Sequence, residues 1–177
     1  MKLLVDTSSK DLYVAIFWQN RLYKKIHIKD ITKKVDPLVN NFQALLAEDI
    51  SLIDNIKEYY INIGPGSFTG ARSALIYFKT FASVLNKRVF VSNTFEIINA
   101  YNNECNLYLN ATKSNSFKWN CNDKNIEVIE KSLHEIDIDY QQVEQNIEKV
   151  FSKFSPIELN SIIDPLYGKK PQVGAKK

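Results

Sequence analysis

Cysteine and histidine are scarce in this sequence, with two residues of each among its 177. His27 and His134 lie far apart, and Cys105 and Cys121 do not form a C-x-x-C pair. A zinc or iron site built from side chains is therefore not expected. We expect the two cysteines to be ordinary thiols, because the next observations favour a reducing compartment.

Long hydrophobic runs are also missing. The N-terminal stretch MKLLVDTSSK carries one short apolar run that ends at Asp6, which is too short for a signal peptide. No run of about 18 apolar residues follows it, so the sequence predicts a cytoplasmic chain without a membrane span. The net charge of +3 is too small for a dedicated nucleic-acid binder.

The first hundred residues show strand and helix patterns in alternation. Apolar runs predict strands at 2–5, 12–18, 21–29, 58–63 and 88–92. Helical spacing predicts three helices, which begin at Asp36-Pro37, at about Thr69 and at Thr94, with Asp36 as the N-cap of the first. The order β-β-β-α-β-α-β-α predicts an α/β fold in which helices flank a mixed sheet.

The second half has a different texture. It predicts a hairpin from 107–112 and 116–121, a third strand at 126–131, and one amphipathic helix over Tyr140–Phe154, followed by a turn-rich basic tail. We place a boundary near 103–106, which gives an N-terminal domain of residues 1–103 and an abbreviated C-terminal domain of residues 104–177.

The stretch INIGPGSFTGARSALIYF, residues 61–78, combines a strand, a glycine loop and a helix. It lacks the lysine of a Walker loop, and its glycines do not have the dinucleotide-binding spacing. Two interpretations stay open: a tight structural turn in which Ser67 or Thr69 caps the helix, and a loop whose amides meet an anion. Arg72 lies near the positive end of the helix dipole, so we expect it to meet a carboxylate, with Asp6 as one candidate.

The helices that begin near Asp36 and Thr69 carry more apolar surface than one face requires. Either the two helices cover each other, or they form a docking face for another protein. The residues expected at such an interface are Leu38, Val39, Phe42, Leu46, Ala74, Tyr77, Phe78, Phe81 and Val84.

Three segments together resemble the TsaB (YeaZ-like) family of tRNA threonylcarbamoyladenosine biosynthesis: LLVDTSSKDLYVAIF, INIGPGSFTGARSAL and PLYGKKPQV. The resemblance implies an actin/Hsp70/sugar-kinase-like (ribonuclease H-like) fold with a truncated second half. It also implies a non-catalytic partner of the TsaD-like transferase, which modifies adenosine 37 of tRNAs that read codons beginning with A. By the same resemblance, the two helices named above bind the TsaD-like protein or a second copy of the chain.

The resemblance further implies that a TsaE-like ATPase joins through the complex, that tRNA is contacted indirectly, and that ATP and Mg²⁺ are used by the complex while this chain alone binds no cofactor. The H-x-x-x-H metal motif of the catalytic paralogue is missing. Where the family usually has Asp-Ala-Arg, this chain has Asn110, Ala111 and Thr112. The alternative function is an autonomous nucleotide-dependent enzyme, such as a small kinase.

The candidate residues for an anion or nucleotide contact are Asp6, Thr7, Ser8, Gly64, Gly66, Ser67, Thr69, Gly70 and Arg72. The turn at Asp6 can equally be structural. No catalytic residue is expected, because neither histidine lies in a recognisable context to activate Ser67 as a nucleophile. The lysines at 24, 25, 29, 33 and 34 form a basic run that either touches tRNA phosphates or forms a solvated strand face.

Overall fold

A six-stranded mixed sheet forms the centre of the protein, whose computed structural model describes residues 1–166. Its strand order is β3-β2-β1-β4-β5-β9, with β1, β4 and β5 parallel and the other neighbours antiparallel. In chain order the elements are β1 (Lys2–Asp6), β2 (Leu12–Trp18), β3 (Arg21–Ile28), α1 (Val35–Glu48), α2 (Ser51–Asn55), β4 (Glu58–Asn62), α3 (Phe68–Val84), β5 (Arg88–Ser92), α4 (Thr94–Asn102), β6 (Asn106–Asn110), β7 (Asn115–Asn120), β8 (Ile126–Glu130), α5 (Tyr140–Gln145), α6 (Ile147–Phe151) and β9 (Ser155–Ile157).

Helices cover both faces of this sheet, because alternate residues of its central strands are apolar on each side. One face packs against α1, α2 and α3, with Phe42 and Phe78 fully buried between them. The other face packs against α4, α5 and α6, with Val143 and Val150 in the core. The predicted α/β class with helices on a mixed sheet is confirmed.

A second sheet, with the order β6-β7-β8, is antiparallel throughout. Its inner face carries Leu107, Phe117 and Trp119, which pack against Phe95 and Ile98 of α4. Helix α4 therefore lies between the two sheets and contributes apolar side chains to both. The predicted hairpin and third strand of this region are confirmed to within one or two residues.

The structure corrects two helix predictions and decides between the two caps predicted for α3. Helix α1 begins at Val35 with Lys34 as its N-cap, so Asp36 is not the cap and instead supplies negative charge to the first turn. Of the two caps left open for α3, the structure has Ser67, whose side chain accepts a hydrogen bond from the Gly70 amide. The helix predicted over Tyr140–Phe154 is two helices, which meet at Asn146.

The expectation of two ordinary thiols is also wrong in this structure, where Cys105 and Cys121 form a disulfide. The antiparallel pairing of β6 with β7 brings these residues opposite each other, with their Cα atoms 4.7 Å apart. Local sequence patterns do not indicate this pairing, because it depends on the register of the hairpin.

The predicted boundary near 103–106 falls between the two sheets, but residues after it also build the first sheet. Helices α5 and α6 cover one of its faces, and β9 pairs with β5 at its edge. The division into two domains stays a prediction. The PLYGKKPQV motif lies mostly outside the described residues. No helix within residues 1–166 has the length and apolar character needed to cross a bilayer.

Candidate functional site

The turn after β1 contains a buried carboxylate. Asp6 is almost fully buried, and one of its carboxylate oxygens, Oδ1, accepts hydrogen bonds from both the amide and the hydroxyl of Ser8, at 2.7 and 2.8 Å. The hydroxyl of Tyr140, on α5, donates to the other Asp6 oxygen at 2.8 Å. Burial, reinforced by this carboxylate, raises the pKa of Tyr140 well above its ordinary value. These bonds join β1 to a helix from the far end of the chain.

The glycine loop packs directly onto the same turn. The Ser67 amide donates to the Ser8 carbonyl at 2.6 Å. A Cβ atom on Gly66 would lie 2.1 Å from that carbonyl oxygen, and one on Gly70 would lie 2.0 Å from the Thr7 carbonyl oxygen. Such distances are far inside van der Waals contact. Glycine is therefore required at both positions so that the loop and α3 can approach the turn.

Several loop amides that an anion would need already have partners inside the chain. The Gly64 amide donates to the Asn62 side chain at 3.0 Å, and the Gly70 amide donates to the Ser67 hydroxyl at 3.3 Å. Together with the Ser67 amide, three donors of the loop are used in its own folding. This arrangement favours the structural interpretation of the loop.

Two residues that the sequence analysis did not select complete the polar network. The side-chain amide of Asn62, at the end of β4, donates to the hydroxyls of Ser8 and Thr94 at 2.9 and 3.1 Å. Thr94, the first residue of α4, also contacts the Pro65 carbonyl at 3.2 Å. A polar residue at the end of the apolar run EYYIN was the available sequence signal for Asn62.

Lys34 is the unexpected cation of this region, because it is only 5% exposed. Its ammonium donates to the carbonyls of Thr7, at 3.1 Å, and Ser9. Burial lowers the pKa of Lys34, against the opposing effect of the nearby carboxylates of Asp6 and Asp11. Lys34 therefore fastens the start of α1 to the turn after β1.

The predicted basic run does not form one surface. Lys24 pairs with Glu48 of α1 at 3.2 Å, whereas Lys25 pairs with Glu144 of α5 at 2.8 Å, and these helices cover opposite faces of the sheet. Since Lys34 is buried, the five lysines do not form one solvated strand face, and a contact of the exposed lysines with tRNA phosphates stays a prediction.

A cleft of about 420 Å³ lies between the turn, the glycine loop and the second sheet. Its lining includes Ser8, Gly66, Ser67, Thr94, Leu109 and Asn110. Among the other predicted site residues, Thr7 and Gly64 are buried, while Thr69 and Arg72 are exposed on the first turn of α3. The anion contact of the loop and the carboxylate partner of Arg72 stay predictions, although Asp6 itself binds Ser8 and Tyr140.

The hydroxyl of Ser67 and the ring of His27 have separate partners. The Ser67 hydroxyl accepts the Gly70 amide, and the ring of His27 pairs with Asp11 at 2.7 Å. Within residues 1–166, no group of histidine, cysteine and acidic side chains could hold a metal ion.

Five of the nine expected interface residues are buried in the chain's own core: Leu38, Phe42, Leu46, Ala74 and Phe78. They cannot contact a partner in this conformation, because α1, α3 and the sheet already cover them. Val39, Tyr77 and Phe81 are half-buried, and Val84 is 80% exposed. The structure adds Ile76, which is 57% exposed, and Val35 at the start of α1. We call Ile76, Tyr77, Phe81 and Val84 the α3 apolar strip.

The mixed sheet with helices on both faces, the turn after β1 and the glycine loop define an α/β fold of the YeaZ type. Two solved structures share it: YeaZ from Pseudomonas aeruginosa, with a TM-score of 0.56, and an uncharacterized protein with similarity to peptidase YeaZ, from the same organism, with a TM-score of 0.57. Each is 17% identical to this chain and covers 73% of it, while the chain covers 64% and 63% of those structures.

Among curated proteins, the uncharacterized MG208 homolog of Mycoplasma pneumoniae is 27% identical over 99 residues, which are 54% of this chain and 50% of that protein. The chain thus spans half the length of this relative and less than two thirds of the two solved structures. No protein-family profile matches the chain.

Proposed function

We propose that this chain is a TsaB-like, non-catalytic partner of a TsaD-like transferase, which forms N6-threonylcarbamoyladenosine at position 37 of tRNAs that read codons beginning with A. The α3 apolar strip carries the proposal. Its residues recur at helical spacing on one side of α3, and Ile76 and Val84 expose most of their apolar surface to solvent. On a fold shared with YeaZ, such a strip supports a docking role for α3.

The glycine loop supports the non-catalytic part of the proposal. Its amides bind the turn after β1 and the Asn62 and Ser67 side chains, so the loop contributes to folding where a phosphate-binding enzyme would leave it free. In the proposed complex, a TsaE-like ATPase joins through the transferase, and ATP and Mg²⁺ serve the complex. Contact with tRNA is then indirect, and a homodimer through the same strip competes with the transferase.

Co-purification with the TsaD-like protein of the same cell tests the proposal. We expect Val84→Glu and Ile76→Glu to abolish co-elution, because each buries a charge in the apolar contact. Both side chains are exposed, so the monomer should fold normally, as circular dichroism would verify. Val128→Glu is the matched control, since Val128 is 51% exposed but lies on β8 of the second sheet.

Retained co-elution of both α3 variants would reject docking through the strip. Equal loss in the Val128→Glu control would show that the effect is not specific to α3.

The alternative is an autonomous nucleotide-dependent enzyme, and the cleft between the two sheets is the observation in its favour. ATP turnover by the purified chain alone, lost when the cleft residue Asn110 is changed to Asp, would replace the partner proposal with this one. We expect the purified chain alone to show no ATP turnover and to restore threonylcarbamoyl transfer when it is combined with its partner.

A further inference from the structure

Cys105 and Cys121 are the only cysteines of the chain, and the fold places them opposite each other. The Cys121 amide donates to the Cys105 carbonyl at 2.9 Å, and the Cα separation of 4.7 Å lies within the range that disulfides span. Cys105 is exposed and Cys121 is half-buried at the rim of the second sheet's core. Both oxidants and reductants in solution can therefore reach the pair.

The disulfide lies where the chain passes from α4 into the second sheet. Two side chains of α4 bind the connecting segment. The side-chain amide of Asn99 donates to the Glu104 carbonyl at 3.0 Å, and the backbone amide of Glu104 donates to the side-chain oxygen of Asn102 at 3.1 Å. Cys105 follows at once, and its bond to Cys121 fixes the end of β7 to this segment. The disulfide thus strengthens the attachment of the second sheet to α4.

The stability of the second sheet depends on this attachment, because the second sheet has a smaller core than the first. Its core is one small cluster on one face, and Val128 of its outer strand β8 is exposed. At the opposite end of β6, Leu109, Asn110 and Ala111 line the cleft beside the glycine loop. Loosening of this sheet would therefore move one wall of the cleft.

We propose that Cys105 and Cys121 form a reversible disulfide, which controls the stability of the three-stranded sheet. Through this sheet it controls the position of the cleft wall that the end of β6 forms. A peroxide supplies the oxidising step. One thiolate attacks the peroxide oxygen and becomes a sulfenic acid as hydroxide or alkoxide leaves, and the second thiol then displaces water to form the disulfide. A dithiol reductant returns both thiols by exchange. This inference is independent of the proposed transferase partner.

Hydrogen exchange of the full chain, after hydrogen peroxide or dithiothreitol treatment, tests the proposal. Intact mass should fall by two hydrogen atoms on oxidation and rise again on reduction. We expect amides of β6–β8 to exchange at least about ten-fold faster in the reduced protein, because the bond closes a short loop. Amides of β1 and β4 should be unchanged.

Two variants make the comparison specific. Cys121→Ser should exchange like the reduced protein under both treatments. The matched control is Asn120→Ala, which removes the neighbouring cross-strand hydrogen bond to Asn106 but keeps both cysteines, and its exchange should still respond to oxidation. Two thiols that stay free in peroxide, or a disulfide that forms without slowing exchange in β6–β8, would overturn the proposal. The comparison of oxidised with reduced unmodified protein decides it even if Cys121→Ser fails to fold.

Discussion

Helices cover the six-stranded sheet on both faces, and a buried polar network lies at the ends of β1 and β4. The three-stranded sheet, in contrast, packs only one face against α4 and contains a disulfide. In the first region Asp6, Ser8 and Asn62 hold strands and loops together by hydrogen bonds between residues far apart in sequence. In the second region each strand pairs with its neighbour in the sequence. We therefore expect the first sheet to unfold only with the whole chain, whereas the second sheet should open separately by local unfolding.

Core truncations should separate the two regions most strongly. Phe78 and Trp119 are both buried, and replacing either by alanine is expected to cost about 3–5 kcal/mol of packing free energy. Phe78→Ala should lower the free energy of unfolding of the whole chain. Trp119→Ala should chiefly accelerate hydrogen exchange in β6–β8 and leave β1 and β4 protected.

Trp18→Ala is the control for the tryptophan change, because Trp18 is mostly exposed and its loss should cost less than about 0.5 kcal/mol. Equal acceleration of exchange in both sheets by Trp119→Ala would show that they form one cooperative unit.

A smaller effect is expected at Tyr140, which belongs to the network of the first sheet. The ring of Tyr140 stacks on Tyr13 with centroids 4.1 Å apart, so Tyr140→Phe keeps the packing and removes the hydrogen bonds of the hydroxyl with Asp6 and Ser9. We expect the free energy of unfolding, measured in urea at neutral pH, to fall by about 1.5–3 kcal/mol, because a buried carboxylate loses a donor.

The same variant has a predicted pH dependence. The raised pKa of Tyr140 means that the folded chain keeps this proton at pH values where the unfolded tyrosine, with its ordinary value of 10.0, has lost it. The unfolded state then binds fewer protons, so stability falls as the pH rises above 10. Tyr140→Phe should make this decline shallower, and the exposed Tyr23→Phe serves as the control. An unchanged slope in Tyr140→Phe would contradict the burial of that hydroxyl.

Much of the first sheet was predictable, because period-two and helical patterns are local. The bounds predicted for β2 and β5 match the structure, and the glycine stretch does form a strand, a loop and a helix. The helix predicted over Tyr140–Phe154 is interrupted at Asn146. The apolar spacing continues through this position, but the helical backbone conformation does not. Strand β9 was missed because its three residues have no pattern of their own.

The candidate site was only partly predictable. Asp6, Ser8 and the glycines were selected, but their partners Asn62, Thr94 and Tyr140 come from three distant segments. The burial of Lys34 contradicts the usual preference of lysine for solvent and depends on two backbone carbonyls. Pairings of this kind follow from strand order and register, which the sequence pattern does not contain.

Gly66 and Gly70 allow the loop to contact the turn after β1, and urea unfolding of Gly66→Ala measures how much this close approach contributes to stability. A Cβ atom 2.1 Å from the Ser8 carbonyl oxygen would force the loop away from the turn. We therefore expect the free energy of unfolding to fall by about 1–3 kcal/mol or more. Ser83→Ala, on the exposed side of α3, should leave the stability nearly unchanged. A Gly66→Ala variant as stable as the unmodified chain would show that this contact does not require glycine.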